Sequence, residues 1–106
     1  MSEGITHLKT SDFKKKTEKG MWIVDFWASW CGPCKMMAPV FKSTAEKRKN
    51  INFGKVDIEE EQEIAQNYNI VSIPTFLAIK DGEVVNQTSG FMDEDDFNEF
   101  IDDSFK

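Results

Sequence analysis

The run Met21-Trp22-Ile23-Val24-Asp25-Phe26-Trp27 holds six apolar residues and a single carboxylate. Its apolar residues are continuous rather than alternating, the pattern of a strand buried on both faces. Such a strand needs pairing partners on both edges and covering elements above and below, which points to a sheet inside helices. Asp25 is the exception in the run. A carboxylate in so apolar a setting is costly unless it is paired or protonated, and desolvation raises its pKa. An Asp facing the end or edge of the strand is the plainer alternative.

The rest of the chain supplies those partners. Ile5 to Lys9 reads as a short edge strand, and Ser11 as a helix N-cap with Asp12 in the first turn and Gly20 as the stop. A helical pattern runs from Lys35 to about Lys49, with Met37, Val40, Phe41, Thr44 and Ala45 at three- and four-residue spacing. Pro39 lies inside it, where a missing donor should kink the helix. Ile51 to Asp57 reads as a strand and Glu59 to Tyr68 as a short acidic helix. Phe76–Lys80 and Glu83–Thr88 flank Asp81-Gly82, a strong hairpin signal. A last helix runs from about Asp93 to Ser104 with Phe97, Phe100 and Ile101 on one face. The order β-α-β-α-β-α-β-β-α gives an α/β fold, a mixed central sheet flanked by helices on both faces.

With 106 residues the chain fits one domain, spanning 1–106. It carries only two cysteines, so a disulfide-dense secreted scaffold is excluded. No apolar run approaches the ~20 residues of a membrane helix. The start, residues 1–7, shows no basic segment followed by an apolar stretch, so the expected location is the reducing cytoplasm. Thirteen basic and nineteen acidic side chains give a net charge of −6, which argues against general binding to nucleic-acid backbones. The charge is uneven: residues 1–50 hold ten bases and five acids, residues 51–106 three bases and fourteen acids. The basic run Lys14–Lys16 is too short for a nucleic-acid patch, and the acidic tail from Asp93 reads as a solvated helix face.

Cys31-Gly32-Pro33-Cys34 stands between the central strand and the helix that follows. A C-x-x-C pair beside a βαβ pattern is a redox signature. Unpaired N–H groups at a helix N-terminus point toward the first cysteine. They stabilise a thiolate, which depresses the pKa of Cys31, and only the thiolate attacks a disulfide. Cys34 lies one turn further on, within reach of Cys31. Gly32 permits close backbone approach, and Pro33 limits the freedom of the reduced loop. A metal site competes poorly, because structural zinc takes four ligands and the chain offers two cysteines and the distant His7. Inert buried thiols fit poorly with the intervening glycine and proline. Asp25 is placed to take and give a proton for Cys34, and Lys55 on the next strand to lie beside it, unless it is a solvated strand-end lysine. For Ile73-Pro74, the residues alone favour trans, since cis is found in about 5–6% of X-Pro bonds in folded proteins.

Residues 24–35, Val-Asp-Phe-Trp-Ala-Ser-Trp-Cys-Gly-Pro-Cys-Lys, resemble the active-site segment of the thioredoxin family. Pro39, Lys55 before Val56-Asp57, Ile73-Pro74-Thr75, Asp81-Gly82 and Gly90 extend the resemblance along nearly the whole chain. It implies a thioredoxin fold and a protein disulfide reductase of strongly reducing poise. It implies Cys31 as nucleophile, Cys34 as resolving thiol, Asp25 as buried acid–base group and Lys55 as its tuner. It further implies a cis Pro74 facing the sulfurs, Trp27 packed beneath them, and a substrate rim of Trp30, Ile73, Pro74 and Gly90. Trp22 reads as core. Phe91 departs from the pattern, since a small residue is frequent after the glycine, and so bears on substrate range.

The resemblance implies electrons carried by the two sulfurs with no bound cofactor and no metal, and re-reduction by a thioredoxin reductase. Partners are then disulfide-containing proteins, with neither nucleic acid nor membrane among them, and a monomer is the simplest state. An oxidase or isomerase on the same scaffold is opposed by Gly32-Pro33, the pair that tunes the potential. A non-catalytic assembly subunit is the second rival, and it would function without either sulfur.

Overall fold

The computed structural model describes residues 4–106, so the first three residues of the expected domain lie outside the described residues. The elements are β1 (Ile5–His7), α1 (Phe13–Thr17), β2 (Met21–Trp27), α2 (Gly32–Lys47), β3 (Asn52–Asp57), α3 (Gln62–Asn67), β4 (Thr75–Lys80), β5 (Glu83–Ser89) and α4 (Glu94–Ser104). Their order is the one read from the sequence. The strands form one sheet in the order β1-β3-β2-β4-β5. β2 runs parallel to β3 and antiparallel to β4, β1 is parallel to β3, and β5 is antiparallel to β4.

Successive side chains of a strand point to opposite faces, and β2 uses both. Trp22, Val24 and Phe26 join Leu8, Phe13 of α1, Val56, Ile64 of α3 and Leu77 in one buried cluster. Ile23 joins Phe53, Phe76, Phe41 of α2 and Phe97 of α4 in the other. On that face Phe41 meets Phe53 edge-on at 5.5 Å between ring centroids, and Phe97 lies 5.8 Å from Phe41 and 5.3 Å from Phe76. Aromatic pairs at these separations add to the burial of area. Gly54 is required by packing on the opposite face, where a Cβ would come within 2.6 Å of Leu8 Cδ1.

The hairpin formed as its sequence indicates. Asp81 and Gly82 both take left-handed backbone angles, φ 50° and 85°, the requirement of a two-residue turn that matches strand twist. Asp81 also clasps the α1–β2 turn: its N–H donates to the Gly20 carbonyl, and its carboxylate accepts from Gly20 N–H, each at 2.9 Å. One register shift interrupts the β4–β5 pair. Ile79 pairs with Val84 and Ala78 with Asn86, so Val85 is an extra residue, a bulge.

Several boundaries differ from expectation, each for a local reason. Ser11 is not the cap of α1. Asp12 precedes the helix, and its carboxylate accepts from the Lys9 N–H at 2.9 Å, closing a turn before the helix starts at Phe13. β1 ends at His7 rather than Lys9, as Leu8 turns into the core after donating to Lys55 O. α2 begins earlier, at Gly32, and passes through Pro39 as one helix before ending at Lys47. Arg48 stops it, turning its guanidinium to Asn98 (3.0 Å) and Asp102 (2.7 Å) on α4. α3 starts at Gln62 rather than Glu59, because the Asp57 carboxylate accepts from Glu59 N–H at 2.9 Å and holds those residues in a turn.

α4 docks through Phe97 and Ile101, both fully buried. Truncating Phe97 removes a ring that touches two others. Phe97→Ala is expected to destabilise the fold by about 3–5 kcal/mol, read as a lower midpoint of urea unfolding.

Candidate active site

The C-terminal end of β2 delivers the chain straight into the cysteine loop. Cys31 is the N-cap of α2, with extended backbone (φ −87°, ψ 114°), and Gly32 and Pro33 form the first positions of the helix. Proline is well suited there, because a donor it lacks would be unpaired in any case. The Cys31 N–H donates to Ala28 O at 3.2 Å, and Lys35 N–H donates to Cys31 O at 3.1 Å, fixing the cap from both sides. Cys31 and Cys34 are disulfide-bonded with a Cα–Cα distance of 5.2 Å. The Cys34 N–H donates to Cys31 Sγ at 3.1 Å. The first sulfur therefore occupies the place where a helix N-terminus stabilises negative charge.

Both cysteines are buried against Ala28, with Trp27, Ile58 and Ile73 packed around them. The Ile73–Pro74 bond is cis, against the base-rate reading and in accord with the resemblance. The Ile73 carbonyl oxygen lies 3.8 Å from Cys31 Sγ. Gly90 N–H donates to Pro74 O at 2.8 Å, stapling the β5–α4 loop to this turn. Gly90 takes φ 97°, which a side chain would strain. Ile73, Pro74 and Gly90 are thus brought together beside Cys31. Trp30 is 63% exposed, yet its indole N–H is held by Glu59 Oε2 at 2.8 Å. Phe91, next to Gly90, is 44% exposed.

Asp25 sits in the middle of the sheet, in register with Lys55 on one side and Phe76 on the other. By strand alternation it shares the α2 face with Ile23 and Trp27, the face on which Cys34, Met37 and Phe41 of α2 are buried. It is 1% exposed, and among the described residues no group hydrogen-bonds its Oδ1. Burial pushes its carboxyl up to about 7, against the opposing pull of the Lys55 ammonium. Lys55 is half-buried, with Nζ 4.9 Å from the centre of the Trp27 ring and 5.9 Å from that of Phe41. Such cation–π contact holds an ammonium where it still acts on the carboxylate.

The sequence pointed to the cysteines, Asp25, Lys55 and the proline turn. It gave no signal for Ala28, whose carbonyl anchors Cys31, or for Ile58 among the residues packed on the sulfurs. Glu59 was hidden in an acidic run. Among the described residues no group of three or more His, Cys, Asp or Glu is arranged to hold a metal ion, and no helix is long and apolar enough to cross a membrane.

The family model described as Thioredoxin matches residues 4–103. The chain belongs to the thioredoxin family. A thioredoxin of Staphylococcus epidermidis is similar to it at 41% identity over 99 residues, covering 92% of this chain and 95% of that protein. A Staphylococcus aureus thioredoxin is 39% identical over the same length and coverage. Members of the thioredoxin family are disulfide oxidoreductases, and in this chain the exchange of thiols for disulfides belongs to Cys31 and Cys34.

The Asp25 carboxyl links stability to pH. In the unfolded chain it titrates at about 3.9. Between that value and about 7 the folded protein keeps a proton that the unfolded chain has released. Its contribution is full below about pH 4 and is lost as pH rises through about 7, a span of roughly 4 kcal/mol. Denaturant titrations of the oxidised protein from pH 5 to 8.5 are expected to show this decline, and Asp25→Asn to flatten it.

Proposed function

We propose that this chain is a general protein disulfide reductase, with Cys31 as nucleophile and Cys34 as resolving thiol. The observation that carries the reading is the Cys34 N–H directed at Cys31 Sγ from the first turn of α2. A donor and a helix dipole at that atom favour its thiolate over the thiol. The thiolate attacks one sulfur of a substrate disulfide, forms the mixed disulfide and expels the other sulfur as a thiolate. Cys34 then loses its proton to Asp25 and attacks Cys31 Sγ. The Cys31–Cys34 bond forms, the mixed disulfide breaks, and the substrate leaves carrying the second electron pair.

Asp25 suits the proton step because burial holds its carboxyl at about 7, where it can both accept and give a proton near neutrality. Lys55 tunes it, drawing the carboxyl back toward ionisation. Trp30, Ile73, Pro74 and Gly90 form the rim on which an extended substrate segment lies, and Gly32-Pro33 hold the reduced loop near its oxidised shape. The two sulfurs carry the electrons without a bound cofactor. A thioredoxin reductase returns the pair to the dithiol, and the protein works as a single-domain monomer in the cytoplasm, where thiols are kept reduced.

Insulin reduction with dithiothreitol as donor tests the division of labour. Cys31→Ser is expected to drop turnover to background. Cys34→Ser is expected to accumulate a mixed disulfide, visible as a mass gain equal to the bound substrate chain. Full turnover in Cys34→Ser would remove the resolving role.

A further inference from the structure

A groove of about 410 Å³ lies beside the proline turn, outside the residues that surround the sulfurs. One wall is Asn69 and Ser72 of the α3–β4 loop with Thr75 of β4, and the other is Gln87, Thr88 and Ser89 of β5. Thr75 pairs with Ser89 and Leu77 with Gln87, which places Ser89 and Gln87 on the α1/α3 side of the sheet, the face opposite Asp25. The groove thus lies around the corner of the Ile73–Pro74 turn from Cys31.

Three of its wall residues are direct chain neighbours of the rim. Ser72 precedes Ile73, Thr75 follows Pro74, and Ser89 precedes Gly90. The Gly90 N–H to Pro74 O bond ties the two walls together at the rim. Five of these six residues are exposed or partly so, and Thr75 forms the buried floor, its hydroxyl donating to Ser72 O. Val71, 95% exposed, stands at the lip. Apart from Val71 the lining side chains are amides and hydroxyls carrying their methyl and methylene groups, and none is charged, on a protein of net charge −6. They offer donors and acceptors in both senses without selecting a sign of charge. The groove is open along one side, a shape that suits a chain segment laid across it.

We infer that this groove is a second subsite for the substrate, taking the extended, neutral polar segment that flanks the reacting cysteine. The inference rests on the proposed roles of Cys31 and of the rim, since a chain held by its sulfur at Cys31 must cross the proline turn to reach it. β5 is an edge strand, and apart from the Gln87 N–H, which donates to Asn86 Oδ1 at 2.9 Å, backbone groups on its outer side can pair with such a segment. An acidic flank gains nothing there and meets the negative field of the protein.

The test uses the Cys34→Ser protein and two peptides, each with one cysteine activated as a mixed disulfide with thionitrobenzoate. One peptide is a capped single cysteine. The other carries Ser-, Thr- and Asn-rich flanks on both sides. The Cys31 thiolate attacks the peptide sulfur, the bond to thionitrobenzoate breaks, and that group leaves with the electron pair as a coloured thiolate. The flanked adduct is expected to shift the backbone amide resonances of Asn69, Gln87, Thr88 and Ser89, which the short adduct leaves in place. With wild-type protein, kcat/KM for the flanked peptide is expected to exceed that for the short one about tenfold, the effect of one or two well-made hydrogen bonds. Shifts confined to Trp30, Ile73, Gly90 and Phe91, or equal kcat/KM for both peptides, would overturn the subsite. Failure of both peptides to form an adduct would instead overturn the role of Cys31, and the subsite with it.

Discussion

β2 is hydrogen-bonded on both edges and buried on both faces, and the position of the reacting sulfurs depends on that confinement. Its neighbours β3 and β4 run in opposite senses, so its C-terminal end meets the end of one and the beginning of the other. α2 rises from this point with the Cys34 N–H of its first turn directed at Cys31 Sγ, and Ile73–Pro74 arrives from the β4 side. A loop-borne cysteine would be free to move. Here Cys31 is held by Ala28 O behind it and by its own bond to Lys35 N–H ahead.

The same confinement makes Asp25 an anomaly. A seventh apolar residue in β2 would suit the sheet better, and nothing among the described residues hydrogen-bonds Oδ1. Lys55 relieves the burial only in part, as its ammonium rests over the rings of Trp27 and Phe41. In the proposed mechanism this discomfort is the useful property. A well-solvated carboxylate would stay ionised throughout and hold no proton to exchange near neutrality. On that reading the fold gives up stability at one position to keep a proton site near neutrality.

Much of this was legible because the decisive features are local. A continuous apolar run, an Asp-Gly pair and a C-x-x-C before a helical pattern each specify structure within a few residues, and the element order followed from them. What escaped was set by which of several possible side-chain partners a backbone or indole N–H finds, some two or three residues away and some far along the chain. Ser11 lost its role because the Asp12 carboxylate turned back to Lys9. α3 was shortened because Asp57 captured the N–H of Glu59. The cis bond at Pro74 was not visible in composition or spacing and came only through likeness to a family. Glu59 as the anchor of Trp30, twenty-nine residues away, had no mark to separate it from the acids beside it.

The bulge at Val85 has an effect beyond the hairpin that contains it. An open sheet has two outer strands, and each is a template on which another copy can assemble. Here β1 is only three residues long, and β5 is bent by its additional residue. Neither border is long and flat enough to seed stacking into fibrils. Both borders are thus poor templates for a second copy of the chain.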